Sequence, residues 1–138
     1  MIIADTGFWL ALANADDRYH AEATARLAGL TESLITTWPV VTETCHLLMR
    51  ECGPGSQEAF LRSYHQAAFD VFELERSHAP RLVELMEQYA DLPMDLADGS
   101  LVLLAEHLGH GRILSTDQRD FGAYRWKHRH PFGNLLLT

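Results

Sequence analysis

The sequence predicts an α/β fold, a parallel sheet of about five strands flanked by helices, in a single domain that spans residues 1–138. Short apolar runs suited to strands alternate along the chain with longer stretches of helical spacing. Such alternation is typical of a parallel sheet with right-handed crossovers. The chain has 138 residues, 47% of them hydrophobic, and shows no internal repeat or linker. It is therefore long enough for one buried core and too short for two comfortable domains.

The first part of the chain predicts a strand, two helices and a second strand. Residues 1–4 form a continuous apolar run, as expected for a strand that is buried on both faces. Helices are predicted over about residues 6–14 and 20–30, where apolar residues recur at helical spacing. Residues 34–35 are predicted to form the next, short strand.

The middle of the chain predicts two helices and an edge strand. Pro39 suits the start of a helix, and apolar residues follow it at helical spacing. Residues 53–55, with the sequence Gly-Pro-Gly, end this helix, and Ser56 can cap the next one. Apolar and acidic residues then alternate over residues 69–74, a pattern that predicts a strand near the edge of the sheet.

The last part of the chain predicts two more helices and two strands. One helix begins at Ser77, and another begins near Asp95 and ends at Leu108, where a glycine follows. Residues 113–114 predict a strand, and residues 135–137 predict the last one.

Charge is distributed unevenly along the chain, whose formal net charge is −8. Residues 111–138 carry five basic and two acidic side chains, a net charge of +3, so the rest of the chain carries −11. An acidic body with a basic C-terminal segment suits a site that holds cations beside a rim that contacts phosphates. The opening residues have neither a basic leader nor a long apolar run, so we expect a cytoplasmic protein with no membrane span.

Two acidic residues follow predicted strands directly. Asp5 follows the first strand, and Asp117 lies just beyond the strand at residues 113–114. In open α/β sheets the working site lies beyond the C-terminal ends of the strands, where the strand order reverses. The alternatives are that Asp5 only caps the next helix and that Asp117 is an ordinary turn residue.

Two further acids lie in predicted helices. Asp98 is next to Leu101 and Val102 in a helix that is apolar nearly all round, where a carboxylate is costly unless it is paired or bound to a cation. The alternative is a capping role, in which Asp95 is the N-cap and Asp98 favours the positive end of the helix dipole. Glu43, in the helix opened by Pro39, could equally be a solvated side chain.

Four converging carboxylates repel each other unless a cation lies between them, because two charges about 4 Å apart cost about 4 kcal/mol at intermediate dielectric. Mg²⁺ and Mn²⁺ prefer oxygen ligands and resolve this repulsion. Such a metal lowers the pKa of bound water and shields a phosphate, so the set suits hydrolysis of a phosphodiester. The Cys and His ligands expected of a zinc site are missing from it.

The four acid-bearing stretches together resemble the PIN-domain ribonuclease family, specifically the VapC-type toxins of type II toxin–antitoxin systems. The matching stretches cover residues 2–7, 42–43, 95–102 and 113–121, in the family's order and spacing. One departure is Gly99, where the family more often has Ala; in a helix interior it costs about 1 kcal/mol.

The resemblance implies a Mg²⁺- or Mn²⁺-dependent endoribonuclease that forms a homodimer and is blocked by a cognate antitoxin. It assigns catalysis and metal binding to four acids, Asp5, Glu43, Asp98 and Asp117. It also suggests Asp120 as a fifth acid, with Thr6 and Thr116 as supporting hydroxyls.

The basic C-terminal segment offers RNA contacts through Arg119, Arg125 and Lys127, with Trp126 available for stacking. The alternative is a solvated loop. Two rival enzyme classes fit poorly: a dehalogenase-type phosphotransferase needs a second Asp where Gly7 stands, and a receiver domain needs an acid pair after the first strand and a strand-end Lys. A non-catalytic PIN-like module that binds RNA or protein stays open as the alternative function.

Overall fold

The computed structural model describes residues 1–137 and contains seven strands and seven α-helices over that range. The strands are β1 (Ile2–Ala4), β2 (Leu34–Thr37), β3 (Asp70–Phe72), β4 (Arg112–Leu114), β5 (Arg125–Trp126), β6 (His130–Pro131) and β7 (Gly133–Asn134). The helices are α1 (Thr6–Ala13), α2 (His20–Gly29), α3 (Trp38–Cys52), α4 (Pro54–His65), α5 (Ala79–Gln88), α6 (Leu96–Leu108) and α7 (Gln118–Ala123). A 3₁₀ turn at Arg76–His78 precedes α5.

Five of the strands form one parallel sheet in the order β3-β2-β1-β4-β7. The central strand β1 is wholly buried, and its Ile3 aligns with Ile35 on β2 and with Ile113 on β4. This burial on both faces explains why residues 1–4 are continuously apolar. The predicted α/β fold with a parallel sheet of about five strands flanked by helices is confirmed.

Helix α6 lies at the centre of the helical packing. It contacts α3, α5 and strands β1 and β2, and Leu101, Val102 and Leu104 have no exposed surface. The apolar character on nearly all its faces follows from these contacts. Because α6 is held on several sides, its N-terminal turn has a fixed position relative to the sheet.

The strand order reverses between β1 and β4, because the chain builds β2 and β3 on one side of β1 and then crosses to the other. Such a reversal opens a crevice beyond the C-terminal ends of the strands. The backbone N–H of Asp5 donates to the carbonyl of Leu114 (3.1 Å), so the ends of β1 and β4 lie side by side. The structure therefore brings the segments after these strands to one edge.

The last strand differs from the prediction. It was expected at residues 135–137, but β7 pairs with β4 through Gly133 and Asn134. The leucines that follow instead contribute side chains to the core, with Leu136 buried and its neighbours packed against it. Apolar character alone therefore placed the strand two residues too late.

Two short elements in the C-terminal segment were not predicted. Asp117 is not an ordinary turn residue but the N-cap of helix α7, and β5 and β6 form a small antiparallel hairpin. The prediction that Ser56 caps the fourth helix is also wrong, because α4 already begins at Pro54 and its N-cap is Gly53. Proline is well suited to a first helical turn, where its missing N–H has no partner in the helix.

Within residues 1–137, none of the helices combines the length and the apolar character needed to cross a lipid bilayer.

Candidate active site at the carboxyl edge of the sheet

Asp5 lies where β1 ends and α1 begins, and its side chain is almost completely buried. As the N-cap of α1, its Oδ1 accepts a hydrogen bond from the backbone N–H of Thr6 (2.7 Å). Its Oδ2 accepts a hydrogen bond from the hydroxyl of Ser115 (2.9 Å). Capping and site formation are therefore not exclusive for Asp5, because each carboxylate oxygen has its own partner.

Ser115 connects the two acids that follow β1 and β4. Its hydroxyl donates to Asp5 and accepts from the backbone N–H of Asp117 (2.9 Å), and the residue is fully buried. The sequence analysis did not single out Ser115. Its position immediately after β4, two residues before Asp117, is a signal that could have found it, since buried hydroxyls need partners.

Asp98 lies in the first turn of α6, where its backbone N–H donates to Oδ1 of the N-cap Asp95 (2.8 Å). Its own Oδ2 accepts a hydrogen bond from the hydroxyl of Tyr124 (2.8 Å). Tyr124, directly after α7, is fully buried and was also missed by the sequence analysis. A contact between residues 26 positions apart has no local sequence signal.

Glu43 lies in the second turn of α3 and is half-buried. It lines a groove of about 870 Å³ together with Trp38, Asp95 and Leu96. The groove thus runs between the N-terminal turns of α3 and α6. Glu43 therefore faces the groove between these two helices.

The electrostatics show that these acids act on one another. Burial raises the pKa of Asp5 to about 6, and repulsion by Glu43 and Asp117 also raises it. The hydrogen bonds from Thr6 and Ser115 lower the same pKa. Burial likewise raises the pKa of Asp98 to about 8, with contributions from the charges of Asp5 and Asp95. The pKa of Asp117 is raised as well, chiefly by burial. Acids from several elements therefore share one electrostatic environment.

The supporting residues proposed from the sequence lie around these acids. Thr6 is buried and its hydroxyl has no hydrogen-bond partner within the described part of the chain. Thr116 packs against Gly7 so closely that a Cβ at Gly7 would lie 1.9 Å from the Thr116 hydroxyl oxygen. Asp120 is buried, and its Oδ1 accepts a hydrogen bond from the exposed Arg119 (3.1 Å).

The chemistry of this site suits a hard divalent cation, because its donors are oxygens and two of its carboxylates are destabilised as anions. The buried, unpartnered hydroxyl of Thr6 adds a further oxygen donor. Over residues 1–137, however, no three Asp, Glu, His or Cys side chains lie close enough together to hold an ion as they stand. Oxygen donors of this kind fit Mg²⁺, which is usually held by one or two carboxylates and keeps several waters.

The predicted RNA-contacting residues lie at different distances from the acids. Arg119 is beside the site through its bond to Asp120. The Arg125 guanidinium donates to backbone carbonyls around the end of α7, and Lys127 lies in the turn between β5 and β6. The Lys127 N–H bonds the carboxylate of Glu106 (2.6 Å), eight residues beyond Asp98 or about 12 Å along α6.

The parallel sheet, with acids gathered at the carboxyl edge on both sides of its reversal, defines a PIN-type nuclease fold. A family model described as the PIN domain matches residues 2–127, so the chain belongs to the PIN domain family. This confirms the family that the four acid-bearing stretches predicted.

Similar proteins carry VapC names. The chain is 26% identical over 137 residues to Ribonuclease VapC26 of Mycobacterium tuberculosis, covering 99% of this chain and 98% of that protein. A stretch of 53 residues is 43% identical to the 23S rRNA-specific endonuclease VapC20 of the same species, covering 38% of this chain and 40% of that protein. The family is confirmed as the PIN domain family, and the names of these relatives agree with the predicted resemblance to VapC-type ribonucleases.

A solved structure has the same fold. The crystal structure of VapC20 from Mycobacterium tuberculosis, described there as a sarcin–ricin-loop-cleaving toxin, superposes with a TM-score of 0.80. The alignment covers 86% of this chain and 92% of that one at 23% identity. At this identity the likeness is one of fold.

Proposed function

We propose that this protein is a Mg²⁺- or Mn²⁺-dependent endoribonuclease and the toxin of a toxin–antitoxin pair. The observation that carries the proposal is the shared environment of Asp5 and Asp98, whose pKa values are raised to about 6 and 8 by burial and by neighbouring acids. Strongly perturbed acids in a crevice are typical of functional sites. Burying these carboxylates costs stability, and cation binding would offset that cost.

The chain's own residues divide the work as follows. Asp5 and Asp98 would hold the cation, and Glu43 and Asp117 would complete its surroundings or orient its waters. Ser115 and Tyr124 keep the first two carboxylates in place by hydrogen bonds. A bound Mg²⁺ or Mn²⁺ supplies a water of lowered pKa and neutralises charge on the phosphate.

Further residues would surround this centre. The unpartnered hydroxyl of Thr6 is available to a water or an ion, and Thr116 would support the same edge. Asp120 would act as the fifth acid, with Arg119 moderating its charge. Arg119, Arg125 and Lys127 would contact RNA phosphates, Arg119 nearest to the reaction.

The first substrate to test is 23S ribosomal RNA. One similar protein is named a 23S rRNA-specific endonuclease, and the structure similar in fold is that of a toxin that cleaves the sarcin–ricin loop. An exposed loop offers unstacked nucleotides, and sequence-specific RNA recognition usually targets such unpaired nucleotides rather than a duplex. We therefore propose a looped ribosomal RNA as the substrate class.

Two protein partners complete the proposal: a cognate antitoxin that blocks the acidic edge, and a second copy of this chain in a homodimer. Both follow from the similarity to VapC-type proteins. Light scattering of the purified protein would measure the oligomeric state directly, and a monomer at all concentrations would contradict the dimer.

The second candidate is a PIN-like module that binds RNA or protein without cutting. One observation favours it: the acids of residues 1–137 do not form a ready three-ligand cluster. Metal-dependent cleavage separates the two candidates, because a non-catalytic module would bind RNA and leave it intact.

The deciding experiment incubates the protein with a sarcin–ricin-loop RNA and an unrelated hairpin, with EDTA or with Mn²⁺. We expect Mn²⁺-dependent cleavage. Asp98→Asn should lower the cleavage rate by a factor of at least about a hundred while the fold is retained. Asp16→Asn, which removes an exposed acid distant from the site, is the matched control and should cut normally. Equal cleavage by the Asp98→Asn and Asp16→Asn variants would reject the site, and intact RNA under all conditions would favour the binding module.

A further inference from the structure

The groove beside Glu43 has one wall that the proposed cleavage chemistry does not use. Trp38, Leu74 and Leu96 make that wall apolar, while Glu43 and Asp95 place its other side next to the acids. Its volume of about 870 Å³ is within the range of about 300–1,000 Å³ that is usual for ligand sites. The groove is therefore large enough for a nucleotide, and it shares Glu43 with the candidate active site.

Trp38 is the exposed aromatic residue of this wall. It is 39% exposed, whereas Trp9 and Trp126 are only 7% and 9% exposed. Its ring packs edge-to-face on Tyr64, with ring centres 5.4 Å apart, and Tyr64 in turn packs on the buried Phe69. An exposed ring held from behind loses little conformational freedom when a ligand binds to it.

The charges of the groove favour hydrogen-bond donors, such as the amino and imino groups of a nucleobase, over anionic groups. The ionisable residues among its lining side chains in the described chain are three acids and His46, with no Lys or Arg. An RNA phosphate or an acidic peptide gains nothing from such a surface. A base can lie on the tryptophan and donate its amino or imino hydrogens to carboxylates.

We propose that Trp38 is a stacking platform that holds an unpaired RNA base in the groove beside the acids, next to the phosphodiester that is cut. This rests on the proposed ribonuclease function. Trp38 begins helix α3 and Glu43 follows in its second turn, and both line the same groove, so a base on Trp38 would bring its own phosphates towards Glu43. Trp38 then fixes which nucleotide faces the carboxylates, and it acts as a positioning residue.

The test uses tryptophan fluorescence, because only one of the three tryptophans is substantially exposed. A short single-stranded RNA of mixed sequence is titrated with Mg²⁺ into the Asp98→Asn protein, which leaves the RNA uncut. We expect quenching that Trp38→Phe removes, and an affinity that Trp38→Ala lowers about tenfold, within the range found for base–aromatic stacking. Trp38→Phe should bind RNA more tightly than Trp38→Ala, because it keeps a ring.

Two controls make the result specific. An abasic oligonucleotide of the same length has the same phosphates and should cause no quenching. Leu61→Ala removes an exposed apolar side chain of α4 that does not line the groove, and it should change neither affinity nor quenching. Unchanged melting of Trp38→Phe shows that its packing on Tyr64 is kept.

The outcomes separate this inference from the proposed function. Quenching by the abasic oligonucleotide, or equal RNA affinity of Trp38→Ala and the parent, overturns the platform even if wild-type protein cuts RNA. Base-dependent quenching supports the platform even if no RNA is cut. In that case the proposed ribonuclease function fails, and the platform stands. Loss of antitoxin binding in Trp38→Ala with unchanged RNA affinity would make the groove a protein-binding surface and overturn the inference.

Discussion

Tyr124 and Ser115 show how single hydrogen bonds prepare a carboxylate for its task. Each donates one hydroxyl hydrogen to an acid at the centre of the site, Tyr124 to Asp98 and Ser115 to Asp5. Hydrogen bonds to a charged group are worth about 1.5–3 kcal/mol, so they offset part of the burial that raises both pKa values. They also fix the direction in which the remaining lone pairs point.

Tyr124→Phe should weaken the site without unfolding the protein. The ring keeps its edge-to-face contacts with Tyr89 and Phe121, at 5.0 and 5.2 Å between ring centres, while Asp98 loses its donor. We expect the affinity for Mn²⁺ to fall about tenfold or more, as is typical when a partner behind a metal ligand is removed. The pH at which activity is half-maximal should rise, because the anionic form of Asp98 has lost a stabilising bond.

Isothermal titration with Mn²⁺ and a pH–rate profile would measure both effects. Tyr89→Phe is the matched control, because Tyr89 packs on Tyr124 but its hydroxyl accepts from the Arg125 N–H and does not contact Asp98. If both variants behave alike, Tyr124 matters only for packing.

At this scale the sequence predicted the acids of the candidate site but not the hydrogen bonds that hold them. Asp5 and Asp117 could be found because strand ends are recognisable from apolar runs, and Asp98 because an acid among leucines is costly. The hydrogen bonds of Ser115 and Tyr124 could not be predicted, since they join residues 110 and 26 positions apart, although the place of Ser115 directly after a strand made it a candidate. Trp38 was missed for a different reason: exposure is a property of the folded surface.

At the scale of elements, α6 combines a buried body with a functional first turn. Gly99 lies there among Leu82 and Met94, and a Cβ at this position would be 3.1 Å from the Leu82 Cδ2 atom and 3.4 Å from the Met94 sulfur. Glycine fits this closely packed position, but the packing does not exclude a larger residue. Both neighbouring atoms lie far out on flexible side chains.

Gly99→Ala should therefore be stabilising, by at most about 1 kcal/mol from helix propensity, less the cost of moving Leu82 by a few tenths of an ångström. That corresponds to a rise in melting temperature of about 2–4 °C at most. Gly122→Ala in α7, whose Cβ would meet no atom within 4 Å, measures a helical Gly→Ala change without a contact. A loss of more than about 1 kcal/mol in Gly99→Ala alone would mean that Leu82 cannot move.

The β5–β6 hairpin carries Lys127, one of the predicted RNA-contacting residues, and is held in place by α6. Glu106 on α6 ties it down, because its carboxylate accepts from the Lys127 N–H and pairs with Arg81 (2.8 Å). Local sequence could not predict this hairpin, since its strands are two residues long and Lys127 and His128 have positive φ values. Because Lys127 lies far from the acids, we expect it to contact only longer RNAs.

Salt titrations of RNA affinity should distinguish Arg119 from Lys127, since each substitution removes one positive charge. For a short RNA that spans only the acids, Arg119→Ala should reduce the slope of log affinity against log salt by about 0.7, and Lys127→Ala should leave it unchanged. For a longer RNA both variants should reduce the slope. Identical slopes for Arg119→Ala and the parent would remove Arg119 from the RNA path.

At the scale of the whole molecule, the order of strands and helices was largely predictable, because each strand is a short apolar run between amphipathic helices. The ends of the elements were not predictable, and the last strand was placed two residues too late. The ion pair between Glu32 and Arg112 was not predictable either, because it joins the segment before β2 to the start of β4 across 80 residues. This pair lies at the amino end of the sheet, away from the acids.

The pH dependence of stability should report on the acidic edge as a unit. The pKa values of Asp98 and Asp5 are about 8 and 6 in the folded protein, against about 3.9 for Asp in an unfolded chain. Between about pH 4 and 8 the folded state therefore binds protons that the unfolded state has released. The free energy of unfolding of the metal-free protein must then fall as the pH rises through this window.

The same window contains little contribution from the ion pair at the other end of the sheet. The guanidinium of Arg112 lowers the pKa of Glu32 to about 2, so the stability that this pair gives is present above about pH 4.5 and is lost only in stronger acid. The Glu32–Arg112 pair therefore cannot cause a decrease in stability towards higher pH.

Melting curves at pH 5, 6, 7 and 8 in EDTA, repeated with millimolar Mg²⁺, would measure this dependence. We expect the melting temperature in EDTA to fall with pH in the parent. It should fall less in Asp98→Asn, which keeps only the titration of Asp5 at the lower end of the window. Mg²⁺ should raise the melting temperature most at pH 8, because a cation binds the deprotonated acids, and the rise should be smaller in Asp98→Asn. A pH dependence in EDTA that is the same in the parent and in Asp98→Asn would mean that Asp98 is ionised without difficulty, and the physical reason for placing a cation beside it would be lost.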